Sequence, residues 1–346
     1  MKGPHPDGGA VPASASRSSP ALKVGILGAG YIGGVHAKSL RRDARVRLVG
    51  VADVRAEAAA RLAAEAETRA LPDLDALLDE GAQAVYVTTP NAHHVAPVVA
   101  ALAAGVHVFS EKPMATTLEG ARQVAAAADR SRTVYQLGFN RRLAPAYTLV
   151  RELISGGELS PATAHVKMNR GELMNPPWVS TTSLTGGFLY ESTIHLLDMC
   201  RFLLGDISRL ICRAKTTAYE EPDGFAAILH TAAGAIVTFH SCAHATWAFP
   251  FERIELFGPH QSVVTEEMER VTVSPGVGRE IVTRDFFQLP MEEKWGYRAE
   301  DTLFVDAILS GRRPPVTAED GLRATELVEA CYRSARTGAE VTLPLG

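Results

Sequence analysis

The chain has 346 residues, enough for two domains that each bury a core. Its 46% hydrophobic and 21% charged content are those of an ordinary soluble globular protein, and no apolar run approaches the length of a membrane span. A formal net charge of −4 gives no electrostatic reason to expect nucleic acid or an anionic membrane as partner, so small molecules are the expected ligands. Four scattered cysteines, Cys200, Cys212, Cys242 and Cys331, show no CxxC spacing; neither a disulfide framework nor a structural zinc site is expected, and a reducing cytoplasm fits.

Residues 1–22 are rich in Pro, Gly, Ser and Ala with no apolar h-region, and read as a disordered tail rather than a signal peptide. Next comes Lys23 to Gly34, KVGILGAGYIGG: an apolar strand running into Gly28, Ala29, Gly30, Tyr31, Ile32 and Gly33, then a helix from Val35 to Leu40. In GxGxxG spacing the first glycine permits the turn, the second lets a pyrophosphate approach the backbone, and the third lets helix and strand pack closely. The helix N-terminus then offers free N–H groups and partial positive charge to phosphate. Alone, GxGxxG also fits a glycine-rich turn. A second strand, Val46 to Ala52, ends in Asp53, where a carboxylate would reach ribose hydroxyls; strand, turn, helix, strand and acid in that order identify a dinucleotide site. Asp53 would repel a 2′-phosphate, so NAD is expected, with Arg55 close enough to leave NADP open.

Helices are expected over Ala58 to Ala66, Asp73 to Leu78, Val95 to Ala104 and from Thr117, whose side chain caps the last. Strands are expected at Ala84 to Val87, Val106 to Ser110 and Thr133 to Gly138. This alternation makes a doubly wound parallel sheet over 23–141, with its ligand at the carboxyl ends of the strands, where Gly28, Asp53, Thr89, Lys112 and Asn140 fall. Beyond Arg142 comes one helix, Tyr147 to Ile154. Eight apolar, β-branched runs then imply a largely antiparallel open sheet, and two closing helices, Ala299 to Leu309 and Ala318 to Arg336, complete an α+β domain over 142–346.

Gly186 to Asp198 reads GGFLYESTIHLLD. On a helix, Glu191, His195 and Asp198 rise along one face, and a carboxylate beside an imidazole can do acid–base work. The same spacing fits a solvated i,i+4 pair, or part of a metal site whose remaining ligands the chain does not supply, so no metal is assigned. Oxidising an alcohol with nicotinamide requires a base for the hydroxyl proton; histidine, with an unperturbed pKa of about 6.5, suits it.

The chain resembles the Gfo/Idh/MocA oxidoreductases over nearly everything after residue 22, through GAGYIG at 28–33, TPNAHH at 89–94, EKP at 111–113, GGFLYESTIHLLD at 186–198 and the closing helix. The resemblance implies Lys112 near the nicotinamide and the substrate hydroxyl, with Pro113 in a cis peptide. It implies His195 as proton acceptor, and Thr89, Pro90, Asn91, His94, Glu111 and Asn140 lining the cofactor. Glu191 stands where many members have Asp, so it orients Lys112 and His195 or contacts a substrate hydroxyl. Arg170 and Trp178 are substrate-contact candidates. The expected activity is NAD-dependent hydride transfer between a nicotinamide and a secondary hydroxyl or ketone of a cyclitol or sugar, in a homodimer or homotetramer. The alternatives are a redox-neutral NAD-using glycosidase or epimerase and a non-catalytic NAD-binding regulator.

Overall fold

A computed structural model describes residues 21–171, 177–246 and 250–346; the expected disordered tail, save its last two residues, lies outside them. The first half alternates strand and helix as expected: β1 (Leu22–Leu27), α1 (Tyr31–Leu40), β2 (Val46–Ala52), α2 (Ala56–Glu65), β3 (Ala70–Leu71), α3 (Leu74–Asp79), β4 (Ala84–Val87), α4 (Val95–Ala103), β5 (His107–Glu111), α5 (Leu118–Arg130) and β6 (Tyr135–Gly138). All are parallel in one six-stranded sheet ordered β3-β2-β1-β4-β5-β6. Strand order reverses between β1 and β4, which opens a crevice at their carboxyl ends. β4 is buried along its whole length, which explains its continuous apolar run. Thr117 caps α5 by accepting the Gly120 N–H at 3.1 Å. The edge strand β3 was not expected, being two residues long and without a periodic signal. Leu22, assigned to the tail, pairs instead with Val46 in the sheet.

After α6 (Pro145–Ser155) come β7 (Thr163–Asn169), the short α7 (Thr182–Thr185), α8 (Ile194–Leu204), β8 (Ile207–Lys215), β9 (Gly224–Thr231), β10 (Ile236–Cys242), β11 (Glu252–Gly258), β12 (Gln261–Glu266), β13 (Arg270–Ser274) and β14 (Val282–Asp285). With β15 (Val341–Thr342) they form a nine-stranded sheet ordered β14-β13-β12-β11-β7-β10-β9-β8-β15. Every pairing is antiparallel except β7 with β10. After α7 and α8 the chain re-enters three positions away as β8, and the β8-β9-β10 meander returns β10 to the side of β7 in the same direction. The β9–β10 hairpin turns through Gly234 at φ +97°, as its sequence predicts.

The chain closes with α9 (Met291–Lys294), α10 (Tyr297–Ser310) and α11 (Ala318–Thr337). α10 returns to the first sheet and buries Phe304 and Val305 against Ile26, Tyr86 and Phe109. α11 carries a Thr317–Asp320 capping box and buries Cys331, which is core filling as expected. All four cysteines are free and buried. No described helix is long and apolar enough to cross a membrane.

Candidate active site

The β1–α1 turn is built around its glycines. Gly28 has φ +110°, and a Cβ there would lie 2.5 Å from the Thr88 carbonyl. At Gly33 a Cβ would come within 2.2 Å of the Gly28 oxygen, so only glycine lets α1 approach this closely. A Cβ on Gly30 would meet nothing within 4 Å. The N-terminus of α1 has no side-chain cap, which leaves its N–H groups for a ligand. α1 begins at Tyr31, four residues before the expected start, because close approach selects glycine where helix propensity would not. Tyr31 stands out in solvent beside the turn, and Ile32 is half-buried.

Asp53 accepts the Ala29 N–H at 2.8 Å and the Arg55 N–H at 2.8 Å. Burial opposes its ionisation, but those two N–H groups and the Arg55 guanidinium hold its carboxyl below the ordinary value. Arg55 Nε lies 3.3 Å from this carboxylate, so the ribose position holds an ionised acceptor paired with an exposed guanidinium. An open cradle, an uncapped helix start and this carboxylate fit a dinucleotide with free ribose hydroxyls.

The turn after β4 is braced from within. Thr88 donates to the Gly28 carbonyl at 2.7 Å, and Thr89 to the His93 carbonyl at 3.1 Å; Pro90 is exposed. His94 is fully buried, its ring nitrogens 2.7 Å from the carbonyls of Thr89 and Pro113. Burial keeps its pKa below the ordinary value despite those carbonyls, so one nitrogen donates at a time. Its side chain therefore ties two strand-end turns together. The Lys112–Pro113 bond is cis.

Asn91 is buried and points across the crevice, donating to the Thr185 carbonyl at 3.1 Å and to Glu191 Oε2 at 2.9 Å. Asn140, also buried, gives its amide to the Trp295 carbonyl at 2.9 Å.

Opposite lies the segment that bears Glu191 and His195. Leu189–Thr193 is a π-helical turn, not the regular helix expected, and α8 continues from it. Such a turn loosens the main-chain ladder. The Glu191 carbonyl accepts Lys112 Nζ at 2.8 Å, joining the Rossmann lysine to the second domain. Its carboxylate points elsewhere, to Asn91 and to Arg170, whose Nη1 lies 3.7 Å away. Arg170 also donates to Ser192 Oγ at 3.1 Å, and Thr193 pairs with Ser241 at 2.8 Å.

His195 is buried with its ring edge against Phe139, centroids 6.0 Å apart, and its Nδ1 has no hydrogen-bond partner among the described residues. Burial, then the charges of Arg141, Lys112 and Arg170, push its pKa well below the ordinary value, so the imidazole is neutral at pH 7. The grouping of Asp198 with Glu191 and His195 is not what the fold builds. Asp198 accepts two bonds from Arg142, at 2.6 and 2.7 Å, in a buried ion pair. A buried carboxylate needs a counter-ion; the nearest comes from outside its own helix, with Arg201 of α8 a further 3.7 Å contact. Trp178 packs half-buried against the hydrophobic core.

Sequence reasoning missed two groups. Arg141 reaches His195 electrostatically while its guanidinium is held by Glu252 at 2.7 and 2.9 Å. His36, on the buried side of α1, sits between Glu111 and Asp301, and one of its ring nitrogens lies within 4.8 Å of a carboxylate oxygen of Glu111 and one of Glu300. No spacing signals either contact; an apolar helix face interrupted by one histidine was the only local sign.

Residues 22–139 match the oxidoreductase family with NAD-binding Rossmann fold, and 151–343 match that family's C-terminal alpha/beta domain. The inositol 2-dehydrogenase of Rhizobium meliloti (strain 1021) is 30% identical over 335 residues, covering 93% of this chain and 99% of the relative. The crystal structure of GenD2 from gentamicin A biosynthesis, in complex with NAD, is 27% identical, covers 97% of this chain and 100% of its own, and has a TM-score of 0.80. Levoglucosan dehydrogenase, crystallised with NADH and levoglucosan, shares the fold at a TM-score of 0.85 with 22% identity, over 94% of this chain and 99% of its own. Both halves of the molecule thus match one family in register, and the chain belongs to the Gfo/Idh/MocA oxidoreductases, with an NAD-binding Rossmann domain.

Proposed function

We propose that this oxidoreductase oxidises a secondary hydroxyl of a cyclitol or sugar with NAD, or reduces the matching ketone. The observation that carries the reading is the 2.8 Å bond from Lys112 Nζ to the Glu191 carbonyl, which brings the Rossmann lysine to the turn preceding a neutral His195 whose Nδ1 has no partner among the described residues. Lys112 and His195 are the catalytic pair, and Glu191 orients Lys112 through its main chain. Bound NAD supplies the hydride acceptor. His195 takes the hydroxyl proton as the C–H bond gives up its hydride, and the Lys112 ammonium steadies the charge growing on oxygen. Arg170 is the substrate-side candidate, because it is partly exposed beside Glu191. Kinship with an inositol 2-dehydrogenase supports a polyol substrate. The outer face of the nine-stranded sheet, where Ile228 and Ile236 are exposed, is the surface proposed for self-association.

The test is NADH formation across inositols, aldoses and amino sugars with wild type and His195→Ala. The variant should lose about 10²-fold or more in kcat with NAD affinity nearly unchanged. Wild-type turnover in the variant, or product formed without net NADH, would overturn the reading.

A further inference from the structure

We propose that His36 is a positioning residue for Lys112, acting through Glu111 from the buried side of the cofactor helix. The inference rests on the assignment of Lys112 above. His36 Nε2 lies 3.2 Å from Glu111 Oε1, and Glu111 Oε2 accepts the main-chain N–H of Lys112 at 3.1 Å. On its other side His36 Nδ1 lies 2.8 Å from Asp301 Oδ1 on α10. One imidazole thus ties together the helix that receives the pyrophosphate, the strand end that carries the lysine, and a helix from the far end of the chain.

The chemistry of the cluster sets its charge. A neutral imidazole donates through one nitrogen only, which would leave the other carboxylate facing a lone pair. Burial disfavours the charged ring, but Asp301 and Glu111 outweigh it and hold the pKa well above the ordinary value. Glu300 also faces the cluster. Both its oxygens lack a partner among the described residues, and burial, then the charge of Glu111, raise its carboxyl well above the ordinary value, with His36 opposing. The phenols of Tyr86 and Tyr297 complete the surroundings; burial and nearby carboxylates raise both well above the ordinary value. An imidazolium between two carboxylates is therefore the arrangement that gives each carboxylate a donor from the ring. It gives Glu111 one orientation, and Glu111 gives the Lys112 turn one.

The variant His36→Gln offers one amide where two carboxylates need donors. With the intact protein, the expected outcome is a loss of about tenfold or more in kcat with NAD Kd within about threefold of wild type. Lys112 should also be methylated several-fold faster by formaldehyde and cyanoborohydride, relative to exposed Lys38, because its ammonium leaves the Glu191 carbonyl. If His36→Gln does not fold, Asp301→Asn keeps an acceptor for the ring and should give the same changes, smaller. Unchanged turnover and labelling in a folded variant overturn the proposal. So does a parallel loss of turnover, NAD binding and melting temperature, which marks a purely structural role. A stoichiometric divalent ion in the purified protein, absent from His36→Gln, overturns it too, because the ring would then be a ligand. If the wild type oxidises no polyol, the proposed function fails, while the labelling arm still decides whether His36 governs Lys112.

Discussion

The two glycines that flank the start of α1 make opposite predictions, and together they locate the pyrophosphate. At Gly30, φ is −79° and ψ −172°, a conformation open to alanine, and the added Cβ would project into space empty for 4 Å. Gly30→Ala should therefore fold normally, with stability within about 0.5 kcal/mol of wild type or slightly higher because the unfolded chain loses freedom. The melting temperature should move by about 2 °C or less. The same methyl occupies the place where a phosphate would approach the backbone. NADH affinity, followed by fluorescence titration, should fall about tenfold or more, at least about 1.4 kcal/mol. At Gly33 the Cβ would lie 2.2 Å from the Gly28 oxygen, so α1 must retreat by about an ångström to reach ordinary contact. Overpacking of that kind costs about 1–3 kcal/mol, and Gly33→Ala should lose both melting temperature and affinity. If Gly30→Ala binds NADH like wild type, the open space is not the phosphate cradle and the cofactor lies elsewhere.

The remaining predictions concern pH. Because burial and three cations hold the His195 pKa well below 6.5, the acid limb of kcat/KM should fall below pH 6.5, and Arg170→Gln should move it upward; a limb at or above 6.5 in wild type would remove His195 as the base. Below pH 6.5 the unfolded chain takes a proton the folded histidine refuses, so stability falls by about 1.4 kcal/mol per pH unit until the folded value is reached. Urea melts of wild type and His195→Gln should diverge over that window. Glu267 behaves in the opposite sense: burial, then the charge of Glu252, raises its pKa to about 8. Between its unfolded value and about 8 the folded state holds a proton the unfolded chain has lost, so its penalty grows as pH rises. Glu267→Gln should be more stable than wild type by a few kcal/mol at pH 8 and equal to it below about pH 4.5, as thermal melts across that range would show.

The first domain was legible because each of its features is local. The buried strands β2 and β4 fall on the residues the apolar runs mark, and the GxGxxG turn and Asp53 meet through the Ala29 N–H as the motif demands. Lys112 and the His195 segment were paired by resemblance, and the fold joins them across two domains. What stayed hidden depends on partners far along the chain. Asp198 looked like a member of the Glu191–His195 face until Arg142, 56 residues earlier, claimed it. The π turn that aims the Glu191 carbonyl at Lys112 is invisible to a 3.6-residue period. Nothing local announces that α10 returns to the first sheet, so the partnership of His36 with Asp301, 265 positions away, could not be foreseen.

The Asn91 amide bears on how small molecules reach the site. It grips the second domain at two points, Thr185 and Glu191, from a turn that belongs to the first. Any hinge swing wide enough to admit a sugar would tear that grip while stripping Lys112 of its acceptor. These three bonds, each worth about 1 kcal/mol, set a small resistance to parting the two halves, and a ligand that enters between them must repay it.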